Sequence, residues 1–265
     1  MTIGVMLTAY KRTHLLERQI EAIRAQTVKA DKVMLFDNTS IADPLVFSDH
    51  IWEHVDVRIA ASRNLGVWPR FMLAPLLGTD YIAVFDDDTI PGPRWFANCL
   101  ETLGELERQG VDGALLGANG LAFIKGNREY RVDAGWRRPE GVATQVDIVG
   151  HAWFFHRSLL GHYAPGQLAA AFPTCGDDYW LSFTAQQIGW PAVCPPHPPN
   201  KKVWWGSVDG DTLGSDADAL WKQPEQEIAK NEFHDMMAKG GMAFNACRVE
   251  GREVHLTQWK MRHTQ

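Results

Sequence analysis

The sequence predicts an α/β fold, with a mostly parallel central sheet flanked by helices. Two observations carry that prediction. Strand-like and helix-like segments alternate through the first half of the 265-residue chain, the order that builds a parallel sheet with a helix between successive strands. Three of the strand-like runs end in polar residues, at Thr8, Asp37 and Asp86. In such sheets ligands bind beyond the carboxyl ends of the strands, so these three positions line one edge.

Ile3 to Thr8 is apolar with β-branched residues and reads as the first strand. Residues 13–26 (THLLERQIEAIRAQ) carry apolar side chains at 15, 16, 20 and 23, which is helical spacing, with Thr13 as N-cap. Lys32 to Phe36 is the second strand and runs into the polar turn Asp37-Asn38-Thr39-Ser40. Val55 to Ala60 reads as the third. Trp68 to Leu77 is a helix broken at Gly78. Asp80 to Phe85 is a fourth strand, apolar enough to be buried on both faces, and Pro93 opens a helix to about Arg108. The second half is less regular. Gly113 to Ile124 reads as one or two strands, Lys125 to Glu140 as a polar basic loop or hairpin, and Val146 to His156 as an aromatic strand. Asp177 to Ile188 is helical, Pro191 to Cys194 a short strand, and residues 195–218 a loop rich in Pro, Gly and Asp. Glu225 to Lys239 is a last helix closed by Gly240-Gly241. No linker divides the chain, so one domain over residues 1–265 is expected.

Hydrophobic residues make up 45% and charged residues 22%, which excludes a disordered or collagen-like chain. The opening MTIGVMLTAYKRTH has no signal-peptide pattern, and no apolar run is long enough to span a bilayer. Cysteines at 99, 175, 194 and 247 form neither a zinc pattern nor a disulfide framework, so a reducing, cytoplasmic setting is expected. A net charge of −6 argues against a sequence-independent nucleic-acid binder. The 11 tryptophans are either bulk core or platforms for a flat ligand.

Asp86-Asp87-Asp88 is the strongest local signal. Three carboxylates at the end of a buried strand repel one another unless a cation compensates them, and such oxygen ligands suit Mg²⁺ or Mn²⁺. The bland alternative is a solvated acidic turn. Asp177-Asp178 opens a helix, where negative charge is favourable in any case; the functional alternative is a general base in a cleft. Asp37 can accept a hydrogen bond from a base or ribose, or can serve ordinary turn chemistry. His197, boxed by prolines in PPHPP, is either a rigid metal ligand or part of a rigid surface loop, and Lys201 and Lys202 beside it could meet phosphates. The other histidines show no HExxH or paired zinc spacing. In GHAWFFHR, Trp153 is either a stacking platform or part of a core strand.

The order of these pieces resembles the GT-A glycosyltransferases, closest to glycosyltransferase family two. VMLTAYKRTHLLERQIEAIRAQ, KVMLFDNTS, RNLGVWPRF and DYIAVFDDDTIPGPRWF look like that family's donor-binding half. DIVGHAWFFHR, CGDDYWLSFTAQQIGWPAVCPPHPPNKKVWWGS and KNEFHDMMAKGG look like a bacterial and viral subgroup. The resemblance covers about residues 3–240. It implies a nucleotide-sugar-binding half over 1–110, an acceptor and catalytic half over 111–223, with mixed strands, and a C-terminal helix and tail over 224–265. It implies donor contacts at Thr8, Tyr10, Arg12, Asp37, Arg63, Asn64, Asp86, Asp87 and Lys202. Asp86 and Asp88 match the metal-binding DxD motif, and His197 matches a metal-binding histidine. Gly176-Asp177-Asp178 matches the xED motif, with Asp178 as the base and Asp177 in place of the usual glutamate. Acceptor contacts are expected at Trp136, His151, Trp153 and Trp180. Together these imply Mn²⁺- or Mg²⁺-dependent transfer of a sugar from a nucleoside-diphosphate donor, UDP-linked, to an acceptor hydroxyl with inversion.

Sugar-nucleotide nucleotidyl transfer is the rival enzyme class, but strand one is followed by Ala9-Tyr10-Lys11-Arg12-Thr13 without the expected glycine-rich loop. A non-catalytic sugar-binding protein is the other rival; intact acidic motifs count against it. The acceptor stays open between a glycan, a lipid-linked glycan and a modified DNA base. Residues 125–138 (KGNREYRVDAGWRR) hold five positive and two negative side chains, which fits either a phosphorylated acceptor or a solvated hairpin. The protein is expected in the cytoplasm, peripheral to the membrane, or in host cytoplasm if viral.

Overall fold

The computed structural model describes residues 1–10, 12–39, 49–123, 130–214, 219, 222–244 and 258–259. In chain order the elements are β1 (Ile3–Ala9), α1 (Leu16–Arg24), β2 (Lys32–Asp37), α2 (Asp49–Trp52), β3 (Val57–Ala60), α3 (Pro69–Leu73), β4 (Tyr81–Phe85) and α4 (Trp95–Arg108). There follow β5 (Leu115–Leu116), β6 (Asn119–Phe123), β7 (Tyr130–Gly135), β8 (Ala143–Val146), β9 (Ile148–Gly150) and β10 (Trp153–His156). The chain continues through α5 (Leu168–Ala171), α6 (Asp177–Gln187), β11 (Ala192–Cys194), α7 (Pro224–Lys239) and β12 (Gln258–Trp259).

Nine strands form one sheet in the order β12-β8-β11-β5-β10-β4-β1-β2-β3. The run β4-β1-β2-β3 is parallel, as the alternating sequence predicts. β10 enters antiparallel to β4, so the second half adds a mixed region. A separate sheet has the order β7-β6-β9.

Period-two alternation divides the apolar side chains between the two faces of the large sheet. Ile82, Val84, Trp153 and Phe155 face the α3 side, where they meet Trp68 and Phe71. Ala83, Phe85 and Phe154 face the opposite side, with Leu16 and Ile20 of α1 and Phe96 of α4. Both faces of β4 are therefore buried, which accounts for its unbroken apolar run. Trp68, Trp95, Trp136, Trp153 and Trp205 are all buried, so five of the 11 tryptophans are core.

Several predicted boundaries shift for local reasons. Thr13 is not a helix N-cap: Thr13–Leu15 form a 3-10 turn without a side-chain cap, and α1 starts at Leu16. The Trp68–Leu77 helix is α-helical only over Pro69–Leu73. It tightens to 3-10 over Ala74–Leu77, where Pro75 lacks an N–H, and stops at Gly78 with φ of 67°. The helix after Pro93 begins at Trp95. The strand expected over Val146 to His156 takes in the end of β8 at Val146 and then two strands, β9 and β10, parted at His151, whose φ is 63°. Of the basic hairpin, residues 130–135 form β7, and residues 124–129 lie outside the described residues.

The register of β10 on β4 places the site. Trp153 pairs with Val84 and Phe154 with Ala83. Extended by two residues in the antiparallel sense, that register sets His151 opposite Asp86.

Candidate active site

Asp86, Asp87 and Asp88 leave the end of β4 in a turn held from below. The buried Gln19 of α1 donates its side-chain amide to the carbonyls of Asp86 and Thr89, the latter at 2.9 Å. Arg12, from the loop after β1, donates to Asp87 at 2.9 Å and lies 3.4 Å from Asp88. Gly214 has φ of 72°, and a Cβ there would lie 2.2 Å from Asp88 Oδ2. The chain thus packs bare backbone against that carboxylate.

Sequence reasoning missed the group that joins the two acidic motifs. Arg70 of α3 is buried and pairs with Asp86 on one side and with Asp177 on the other, the latter through Nε at 2.8 Å and a second nitrogen at 2.7 Å. Its guanidinium lies 4.4 Å from the ring centre of Trp153. An arginine inside the apolar run VWPRFML was the available signal. Burial opposes its charge, but Asp177 and Asp86 outweigh that and raise its pKa above the ordinary value. Trp153 is 1% exposed, gives its indole N–H to the Val149 carbonyl and supports Arg70, so little of its surface is open to the cavity it borders.

Asp177 and Asp178 open α6 after Gly176, whose φ is 91° and whose Cβ would lie 2.6 Å from Phe233; no larger residue fits there. Asp177 is buried against Arg70, whereas Asp178 is partly exposed and lines a cavity. Burial raises the pKa of both, against the pull of Arg70 on each and of Lys230 on Asp178. Burial and the neighbouring Asp88 push Asp87 up to about 6, against Arg12.

His151, expected as an acceptor contact, lies beside the acidic triplet where His197 was expected. His151 Nδ1 lies 3.2 Å from Asp86 and 3.8 Å from Asp88, with its ring edge-on to Trp136 at 4.7 Å. Asp86, Asp88 and His151 offer ligand atoms within 4.8 Å of one another. Burial opposes charge on His151, but Asp88 and Asp86 prevail and raise its pKa. His197 is 1% exposed, between Trp95 and Trp205. Its Nδ1 lies 2.8 Å from the Pro195 carbonyl and its Nε2 accepts from the Gly206 N–H at 3.4 Å. With both nitrogens held by backbone, His197 is a core histidine and not a metal ligand.

That assignment has a pH signature. Burial lowers the His197 pKa from 6.5 to about 4. Below about pH 6.5 the unfolded chain takes up a proton that the folded chain refuses. Its contribution to stability is therefore complete above pH 6.5 and declines as pH falls toward 4, by roughly 3 kcal/mol in all. Urea unfolding at pH 7 and pH 4.5 should show this loss, and His197→Asn should lessen it. An unchanged pH dependence in the variant would mean His197 is not held neutral.

Two cavities meet at this centre. One is lined by Thr8, Tyr10, Arg12, Asn38, Asn64, Arg70, Asp86 and Asp87. The other is lined by Arg70, Asp86, Asn119, Arg137, His151, Trp153, Asp178 and Lys230. Only Arg70 and Asp86 belong to both. Thr8 Oγ1 and Asn119 Oδ1 are buried without a hydrogen-bond partner, one on each side. Three of the expected donor contacts line neither cavity. Asp37 is buried, paired with Arg58 at 2.6 Å and bonded by Thr39, and its neighbour Asn38 lines the cavity in its place. Arg63 is exposed, and Lys202 donates to the Val208 carbonyl. Trp136 backs His151, and Trp180 packs on Phe183.

The mostly parallel sheet carries acidic residues at its strand ends and two cavities that share the Asp86 carboxylate; together with the family and fold matches that follow, this makes the chain a glycosyltransferase of the GT-A fold. The chain belongs to the family described as glycosyltransferase-like family 2, which it matches over residues 2–204. Staphylococcus aureus TarS is similar in structure, with a TM-score of 0.51 at 10% identity over 74% of this chain and 35% of that one. TarS 1–349 in complex with UDP gives 0.52 at 12% identity over 73% of this chain and 57% of that one. GalNAc-T7 with UDP, GalNAc and Mn²⁺ gives 0.52 at 12% identity, covering 78% and 45% respectively. The chain thus spans between a third and three-fifths of these proteins, and at such identities the likeness is one of fold. No curated protein matches the sequence. Among the described residues no helix is long and apolar enough to cross a membrane.

Proposed function

We propose that this protein transfers a sugar from a nucleoside-diphosphate donor, UDP-linked, to an acceptor hydroxyl in a metal-dependent, inverting reaction. The observation that carries this reading is the pair of cavities meeting at Asp86 and Arg70, with the Asp178 carboxylate lining only the second. The first would hold the nucleotide, with Thr8 Oγ1 free to bond a base or ribose and Arg12 placed toward the diphosphate. UDP is present in the TarS 1–349 and GalNAc-T7 structures, which supports it as the nucleotide.

Asp86, Asp88 and His151 fit a divalent cation: three donors converge within 4.8 Å, and the adjacent carboxylates need positive charge. Two oxygens and one imidazole suit Mn²⁺ better than Mg²⁺, which prefers an all-oxygen shell. The ion would supply neutralisation of the diphosphate leaving group. Asp178 removes the acceptor proton, its basicity raised by burial, and the hydroxyl attacks from the face opposite the diphosphate. Asn119 Oδ1 accepts a further hydroxyl, and Arg137 and Lys230 suit an acceptor bearing phosphate, whether a glycan, a lipid-linked glycan or a modified DNA base. A cytoplasmic location, peripheral to a membrane, fits a lipid-linked acceptor.

Asp178→Asn should slow transfer by about 10²–10⁴-fold while leaving UDP binding in Mn²⁺ near normal. The measurement is UDP release from a panel of UDP-sugars, with UDP affinity measured alongside. Loss of UDP affinity in the variant would give Asp178 a structural role instead.

A further inference from the structure

We propose a second metal site, remote in sequence from the acidic triplet, formed by His50, Glu53 and His54 for a borderline transition ion of the Zn²⁺ class. The segment His50-Ile51-Trp52-Glu53-His54 starts in α2 and continues as a helical turn. The Glu53 N–H bonds the Asp49 carbonyl at 3.3 Å, and the His54 N–H bonds the Ile51 carbonyl at 3.1 Å. Spacings of three and four residues bring the three side chains to one face, so the histidines do form a paired spacing that inspection of the sequence passed over. Their ligand atoms lie within 4.8 Å of one another, and the imidazoles meet edge to face with centres 4.9 Å apart.

A second observation points the same way. His54 Nε2 is buried and has no hydrogen-bond partner. A buried nitrogen left unpaired costs on the order of 1–3 kcal/mol, and a metal ion is a partner its lone pair can take. Around one tetrahedral Zn²⁺ with bonds near 2.1 Å, ligand atoms sit about 3.4 Å apart. His50 and Glu53 are exposed, so rotation of their side chains suffices to close the set. Two imidazoles and one carboxylate favour Zn²⁺ over Mg²⁺ and leave one position open.

The turn is also wired to the donor side of the molecule. Ile51 is buried and seats it on the core. Trp52, between the ligands, lies against the Arg58 guanidinium at 4.5 Å, and Arg58 holds Asp37 at the end of β2. An ion at the turn would clamp the support of that strand end.

Titrating the full chain with ZnCl₂ by calorimetry tests the site without any turnover. Asp88→Asn weakens the other acidic group and isolates this one. That variant should bind one Zn²⁺, and adding His50→Ala should weaken the binding at least about tenfold. In the otherwise unaltered chain, His50→Ala should lower the zinc stoichiometry from two ions to one, which covers the case of an unstable Asp88 variant. Equal zinc binding with and without His50, or no zinc binding by the Asp88→Asn protein, overturns the proposal. Neither result bears on the sugar-transfer reading, which Asp178 and Asp88 activity assays test separately.

Discussion

Replacing Asp88 with alanine should abolish metal-dependent turnover, with a loss of about 10³-fold or more. Asp88 lies 3.4 Å from Arg12 and 3.8 Å from His151. Gly214 packs bare backbone against this carboxylate. UDP release measured across a Mn²⁺ titration checks this. Turnover in the variant that matches the parent at all Mn²⁺ concentrations would remove Asp88 from the metal site. Recovery at high Mn²⁺ would leave it as one ligand among several.

The largest effect on stability should come from Arg70→Met. Arg70 is the charge partner of Asp177, and both are nearly inaccessible to water. Removing it leaves a buried carboxylate facing Asp86 and Asp178, which typically costs 3–5 kcal/mol. In a chain of this size that corresponds to a melting temperature lower by about 10 °C. Combining Arg70→Met with Asp177→Asn should restore part of the loss, because the stranded charge is gone. If the double variant melts no higher than Arg70→Met alone, the pair is not the source of the effect. Arg70→Lys should fall between, since one ammonium cannot reproduce two nitrogens on Asp177 together with a contact to Asp86.

The parallel half of the fold was legible because each element depends on local pattern. Apolar runs fixed β1, β2 and β4, and the polar residues after them marked the edge where the cavities lie. The mixed half was less legible because its pairings are distant in sequence. Nothing local announces that β10 lies against β4, and that contact decides which histidine meets the acidic triplet. The proline box around His197 reads as a rigid mount for a ligand, whereas the ring is buried between two tryptophans. His151 sits at a kink that an aromatic strand pattern hides. Arg70 lies within an apolar helical run, and only packing sets it between two carboxylates and over Trp153. Side-chain direction misled at Asp37, whose carboxylate turns to Arg58 while Asn38 lines the cavity. The basic segment is only partly among the described residues, and Arg137 is the member of it seen to line the second cavity.

The pairing of Trp153 with Val84 has a kinetic consequence. It joins segments far apart in the chain, and closing so long a loop is slow compared with forming neighbouring helices. His151 meets Asp86 only when that seam has zipped in its native register; a slip by one residue would turn the side chains of β10 to the wrong faces. During refolding, high-affinity Mn²⁺ capture should therefore lag behind the recovery of helical signal. An ion held at the proposed site would then bind tightly only to chains whose two halves have joined in the right register.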